Sequence, residues 1–298
     1  MAFDFSITSS VLSNGKTAYN GQLLNSTESK FTFAFRTTYL DNFGLYNISV
    51  NNNLVYKPED YVQKNKFWAY FIYPTVMAES KGSFLCLNTY DRAKFTFTFM
   101  QYAAHVPNGD FVKFFKKLLA LPKAKDYFPK LVLQNNQIFY RNSTGILSPL
   151  ESNTSSQALM DYLNPTLTEV DQQELICAAR FVHWASNDPE HRKIQVETAI
   201  VMYKENMKEY HERFGLHGAP AKVCQMICDI RHQGRGKNDR IALALNTNGN
   251  YEKAFSNLCT IGSANYQTRI TTVRNTINKL VTEGKFSKVY DAQSGEFV

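Results

Sequence analysis

The sequence contains no run of about 18 or more apolar residues, so neither a membrane-spanning helix nor membrane insertion is expected. Its opening residues lack the basic start and apolar core of a secretory signal; synthesis in the cytoplasm is expected, with any delivery outside the cell by another route. Neither standard phosphate-binding glycine loop occurs, and no serine sits in a nucleophile elbow. Cysteine is sparse. The five present (Cys86, Cys177, Cys224, Cys228 and Cys259) make an odd count, and their one close pair, Cys224 and Cys228, stands at helical i,i+4 spacing. With His232 as the one further ligand nearby and no second pair, no metal is expected, nor any cofactor; the thiols read as reduced and mostly buried.

What is present is a chain of 298 residues that is 44% hydrophobic, enough to bury a sizeable core. The net charge of +7 favours anionic partners such as wall polymers, anionic lipid or nucleic acid. Lys113, Lys116, Lys117, Lys123, Lys125 and Lys130 are nevertheless spread through one helical region. That pattern reads as a solvated face, and a nucleic-acid partner is not expected.

Residues 1–57 are rich in Thr, Ser, Asn and aromatics, and residues 30–36 alternate with the period of a half-buried strand. A small β-rich N-terminal region is expected there, closing on a turn or linker at Asn51, Asn52 and Asn53. From Pro58 to Glu79 the chain turns helical and aromatic, with Pro74 starting a fresh turn or kinking a helix. Residues 83–99 alternate again and predict a β-hairpin turning near Asp91. Asn108, Gly109 and Asp110 begin a helix whose Phe111, Phe114, Phe115, Leu118 and Leu119 share one face. Residues 141–157 read as a polar surface loop, Thr168 as a helix cap, and the C-terminal half as all-α, with Ile270, Val273, Ile277, Leu280 and Val281 on one apolar face. The division implied is a region 1–57 and a domain 58–298 with lobes at 58–140 and 158–298.

Hydrolysis of a glycosidic bond requires an acid to protonate the leaving oxygen and usually a second carboxylate for water or for direct attack. Glu79, ending an apolar helix, is expected to be desolvated, with its pKa raised so that it holds a proton. Asp91 at the hairpin turn is expected to stay ionised, and the intervening hairpin would let the two face one another across a groove. His105 reads as a groove residue or a hydrogen-bonded structural histidine. Tyr90 and Tyr102 read as sugar-stacking rings or as packing.

Glu79-Ser80-Lys81-Gly82, Asn88-Thr89-Tyr90-Asp91, Thr96, Thr98 and Phe99-Met100-Gln101 together resemble the catalytic segment of the lysozyme-like superfamily. Within it the segment is similar to phage-type lysozymes and bilobal chitosanases, in which a helix-terminal Glu precedes a β-hairpin bearing an Asp and a Thr. Phe99-Met100-Gln101 also resembles the Gly-Leu-Met-Gln of lytic transglycosylases, but Thr98-Phe99 stands where Gly-Leu is usual, which favours hydrolysis over the water-free reaction.

The resemblance implies an α+β, mainly α, lysozyme-like bilobal helical fold with a catalytic β-hairpin. It implies Glu79 as general acid, Asp91 as the carboxylate that positions or activates water, Thr96 or Thr98 holding that water, and Gln101 lining the groove. Residues 229–239 end a helix and turn through two glycines. They resemble the substrate-facing loop of chitosanase-like enzymes, which would put Asp229, His232 or Arg235 beside the sugar; they read equally as a plain helix C-terminus. The expected activity is muramidase-type peptidoglycan hydrolysis, in an endolysin or in an antibacterial effector delivered by a machine such as type VI secretion. Expected partners are peptidoglycan glycan strands and an immunity protein or secretion carrier. Alternatives are a chitosanase and a non-catalytic wall-binding or phage structural protein.

Overall fold

A computed structural model describes residues 2–48 and 53–298; Asn51 and Asn52 of the expected linker lie outside the described residues. The chain divides into two compact units, residues 1–55 with 83–198, and residues 56–82 with 199–298. The boundaries therefore fall at 55/56, 82/83 and 198/199, where the sequence reading placed one near 57 and another in the 141–157 segment.

The first unit is built on a seven-stranded sheet in which strands follow sequence order. They are β1 (Phe5–Val11), β2 (Thr17–Leu23), β3 (Phe31–Tyr39), β4 (Asn42–Tyr46), β5 (Leu87–Asn88), β6 (Thr96–Phe97) and β7 (Tyr102–Ala103), every neighbouring pair antiparallel. This sheet overturns the expected mainly α, lysozyme-like fold: the chain is α+β, 45% helix and 18% strand, with a sizeable N-terminal sheet. The physical reason is the join between β4 and β5. Tyr46 pairs with Asn88, and the buried Asn47 side chain accepts from Leu87 N (2.7 Å) while donating to Leu85 O (2.5 Å) and Phe33 O (3.2 Å). Alternation predicts a strand but not its partner, so the N-terminal strands and the Asp91 hairpin looked separate.

The hairpin itself is present in short form, with Leu87 opposite Phe97 and Asn88 opposite Thr96. In chain order the helices are α1 (Val62–Asn65), α2 (Trp68–Ser80), α3 (Asp110–Leu119), α4 (Ala124–Tyr127), α5 (Gln157–Leu163), α6 (Gln172–Asn187), α7 (Pro189–Phe214), α8 (Ala221–Gln233), α9 (Asn238–Leu245), α10 (Tyr251–Leu258) and α11 (Ser263–Thr282). The face expected on α3 is buried through Phe111, Phe114, Phe115 and Leu118, which join Phe95, Phe97, Phe128, Phe181 and Trp184 in one aromatic core. Gln195 of α7 ties the hairpin to this core, donating to Phe84 O (3.0 Å) and accepting from Phe99 N (3.3 Å).

Part of the expected 141–157 loop is a strand, β10 (Leu147–Pro149). It extends the hairpin of β8 (Leu131–Gln134) and β9 (Gln137–Arg141), which turns through Asn135 and Asn136, both at positive φ. Asp171, not Thr168, caps α6, in a reciprocal capping box with Glu174.

In the second unit α2 packs chiefly on α11 and α8. Trp68 and Phe71 meet Phe297, whose strand β12 (Glu296–Phe297) pairs with β11 (Tyr290–Asp291), so the C-terminal half is not wholly α. Pro74 sits buried inside α2 without ending it, and the helix stops at Lys81 and Gly82, both left-handed. Glu79 is thereby held in the last turn of α2.

Candidate active site

Glu79 projects from α2 into a cluster drawn from α8 and α11. Its Oε1 accepts Arg269 Nη1 at 2.7 Å and His232 Nε2 at 3.2 Å, and its side chain keeps 14% exposure. No hydrogen bond or ion pair from the described residues reaches Oε2. Arg269 also grips Asp229, with Nη2 at 2.8 Å from Oδ1 and Nε at 3.4 Å from Oδ2. Asp229 takes Arg235 Nη2 at 2.9 Å and the Thr75 hydroxyl at 3.1 Å, and Gln225 donates to that hydroxyl at 2.8 Å. One guanidinium therefore bridges two carboxylates, with the deeper one, Asp229, anchoring it for the shallower one, Glu79.

The electrostatics reverse one expectation. Burial pushes the Glu79 carboxyl up, but the His232 hydrogen bond and the Arg269 charge outweigh it and hold the group below the ordinary carboxylate value, not above it. Burial pushes His232 down, yet its hydrogen bond to Glu79 wins and raises it. The sequence marks the apolar helix end and names His232, but pairs neither His232 nor Arg269 with Glu79.

Asp229 and Arg235 have side chains with 0% exposure, so neither reaches a substrate; Asp229 holds Arg269 in place and Arg235 braces Asp229. His232, at 16% exposure, remains beside Glu79. Arg269 was not singled out by sequence, where it is only the neighbour of Ile270 on an apolar helix, 190 positions from Glu79 (269 − 79). Thr75 and Gln225 were missed as well.

The other expected site residues belong to the first unit. Asp91 is half-buried at the hairpin turn, its Oδ1 accepting from Ala93 N at 2.9 Å. Tyr90 is half-buried, with its ring 5.8 Å from Tyr39. Thr96 is buried; Thr98 is buried at positive φ, and its hydroxyl accepts from Met100 N at 3.2 Å. Gln101 accepts from Asn88 at 2.9 Å and donates to Thr98 O at 3.2 Å. Tyr102 is a core residue and not a stacking platform, since its ring is buried and its hydroxyl donates to Gln195 O. His105 is half-buried with no partner at Nδ1 among the described residues, and burial, then Arg92, holds its pKa down. Most of this set shapes the hairpin; Tyr90 and Asp91 remain open at its tip.

Behind that tip lies a buried glutamate that no sequence pattern singled out. Glu174 accepts the Thr89 hydroxyl, and Thr89 in turn accepts from Leu45 N at 2.6 Å, so α6, β4 and the residue before Tyr90 are locked together. Burial raises its carboxyl to about 8.

Among the described residues no group of three or more His, Cys, Asp or Glu is arranged to hold a metal ion, and no helix is long and apolar enough to cross a membrane. No family model matches the chain, and neither the curated proteins nor the solved structures yield a match.

Proposed function

We propose that the protein hydrolyses the glycan backbone of peptidoglycan as a muramidase-type glycosidase, with Glu79 as the acid. The observation that carries this reading is the mounting of Glu79, one oxygen clamped by Arg269 and His232 and the other left for a ligand. The short resemblance of residues 79–101 to glycan-cleaving segments and the net charge of +7 support the choice of an anionic wall polymer over cationic chitosan.

A carboxylate held ionised is a poor acid unless it can recover a proton cheaply. His232 supplies one. The pair shares a proton and titrates as a unit. Moving that proton across the 3.2 Å contact converts imidazolium and carboxylate into neutral imidazole and carboxylic acid. A sugar covering the site excludes water and favours the neutral form of the pair. Glu79 then protonates the glycosidic oxygen as the C1–O bond breaks. Water adds to C1, and the proton it loses returns to the His232–Glu79 pair. Arg269 keeps Glu79 aimed throughout.

Delivery to the wall by phage lysis or by a secretion machine, with an immunity protein in the latter case, belongs to the same proposal. Mass spectrometry of material released from purified sacculi tests it. Fragments ending in reducing N-acetylmuramic acid are expected from the native protein and none above background from Glu79→Gln. Undiminished release by that variant would sink the assignment.

A further inference from the structure

β1 is one edge of the seven-stranded sheet and pairs on one side only, with β2. The register fixes which backbone groups this leaves over. Leu12 N donates to Lys16 O at 2.9 Å at one end of the pair, and Leu24 N to Asp4 O at 2.8 Å at the other, so the even-numbered residues of β1 bond to β2. The odd-numbered ones, Phe5, Ile7, Ser9 and Val11, turn their N–H and C=O groups outward. Phe3 heads the same row, and its N–H is taken by Asp126 O at 2.7 Å, so α4 closes the row at that end. No hydrogen bond from a described residue reaches the N–H or C=O of the four that follow.

An edge of this kind is a template for another strand, and folded proteins blunt it with charge, proline, a bulge or brevity. β7, the opposite edge, is two residues long. β1 runs for seven residues, Phe5-Ser6-Ile7-Thr8-Ser9-Ser10-Val11, with no charge, no proline and an unbroken register on β2. Its last residue, Val11, is 74% exposed. The chain as a whole carries +7, which opposes self-association, yet across residues 5–23 the only charged side chain is Lys16. Two copies meeting at this edge bring almost no charge together.

We propose that β1 pairs antiparallel with β1 of a second copy of this chain, about a two-fold axis at Thr8. One register uses every free group. With Phe5 opposite the partner's Val11 and Ile7 opposite the partner's Ser9, all four outward residues of both strands exchange hydrogen bonds. A slip of two residues in either direction sets one of the four against Phe3, already bonded, or against Ser13, beyond the strand. In the full register Thr8 faces the partner's Thr8 and Ser6 the partner's Ser10, hydroxyl pairs that suit facing strands. A contact of seven residues a side is smaller than the roughly 20–30 of a standard interface, so the dimer is expected to be weak and concentration-dependent.

Sedimentation velocity of the full chain over a range of loading concentrations, together with thiol cross-linking, tests it. A monomer–dimer equilibrium is expected. Ser9→Pro removes an N–H that β2 does not use, so the variant should keep its melting temperature and weaken the dimer about tenfold or more, the worth of the two hydrogen bonds lost across the axis. Thr8→Lys, which sets like charges face to face on the axis, should weaken it as well. Facing Thr8 positions would stand about 4.5 Å apart between Cα atoms, within reach of a disulfide. Mild oxidation should therefore link Thr8→Cys to its own copy, and should leave unlinked both Ser10→Cys, whose counterpart is Ser6, and the native chain, whose thiols are buried or half-buried. A chain that stays monomeric at every concentration would overturn the proposal and leave the edge to a strand of another protein. A dimer indifferent to both Ser9→Pro and Thr8→Lys, or linking no greater for Thr8→Cys than for Ser10→Cys, would overturn it too.

Discussion

Glu79 in one unit, half-buried, and Glu174 in the other, buried, are glutamates near a helix end whose proton affinities move in opposite directions. Glu174 receives a hydroxyl and a backbone N–H, from Thr89 and Asp171, and no cation among the described residues reaches it. Burial therefore prevails and lifts it to about 8, even within the first turn of α6 where the helix dipole favours negative charge. Glu79 is desolvated too, but Arg269 and His232 reverse the sign. Partners, more than burial, decide which carboxyl is ionised.

Breaking the Glu79 side of the comparison has the largest expected effect. Glu79→Gln should lower glycan cleavage by about 10²–10⁴-fold, as expected for a general acid, measured as reducing ends released from sacculi; the fold should persist, because Arg269 keeps Asp229. Arg269→Ala should be the more damaging to stability, by about 3–5 kcal/mol in urea unfolding, because it strips a shared cation from two carboxylates. Arg269→Lys should recover only part of that loss, since an ammonium cannot reproduce the fork that spans Asp229 and Glu79.

Glu174→Gln sharpens the other side. Its folded value of about 8 lies above the ordinary 4.5, so the folded protein retains a proton between those limits and stability falls as pH rises through that window. The variant should be nearly neutral at pH 5 and more stable than the native chain by about 1–3 kcal/mol at pH 9, read from paired denaturation curves. The smallest effect is expected at His232. Its raised value adds stability that is complete below the ordinary 6.5 and lost as pH rises through the folded value. The lowered Glu79 adds stability present above 4.5 and lost as pH falls through its folded value. His232→Gln should remove about 1 kcal/mol near pH 6 and less at pH 9.

The same contrast explains how far the sequence could be read. The β3 strand, the Asp91 turn, the buried face of α3 and the apolar face of α11, from which only Val281 turns out to be exposed, are local patterns with periods of two or 3.6, and each could be read from consecutive residues. The pairing of Tyr46 with Asn88 is not local, so a sheet of seven strands was read as a small appendage and a separate hairpin. Glu79 stood out because a carboxylate ending an apolar helix is conspicuous. Its state did not, because that depends on Arg269, and no spacing rule links positions 79 and 269. Asp229 and Arg235 looked accessible in a glycine-rich stretch, yet helix packing turns both side chains inward.

The most direct test of the account is a carboxyl ¹³C NMR titration of the native chain, with the two signals assigned by their loss in Glu79→Gln and Glu174→Gln. The account predicts that Glu79 titrates below 4.5 and Glu174 near about 8, with the Glu79 signal also responding as His232 loses its proton at higher pH. A Glu79 midpoint above 4.5 with no response to His232 would contradict it, returning Glu79 to a carboxyl governed by burial alone.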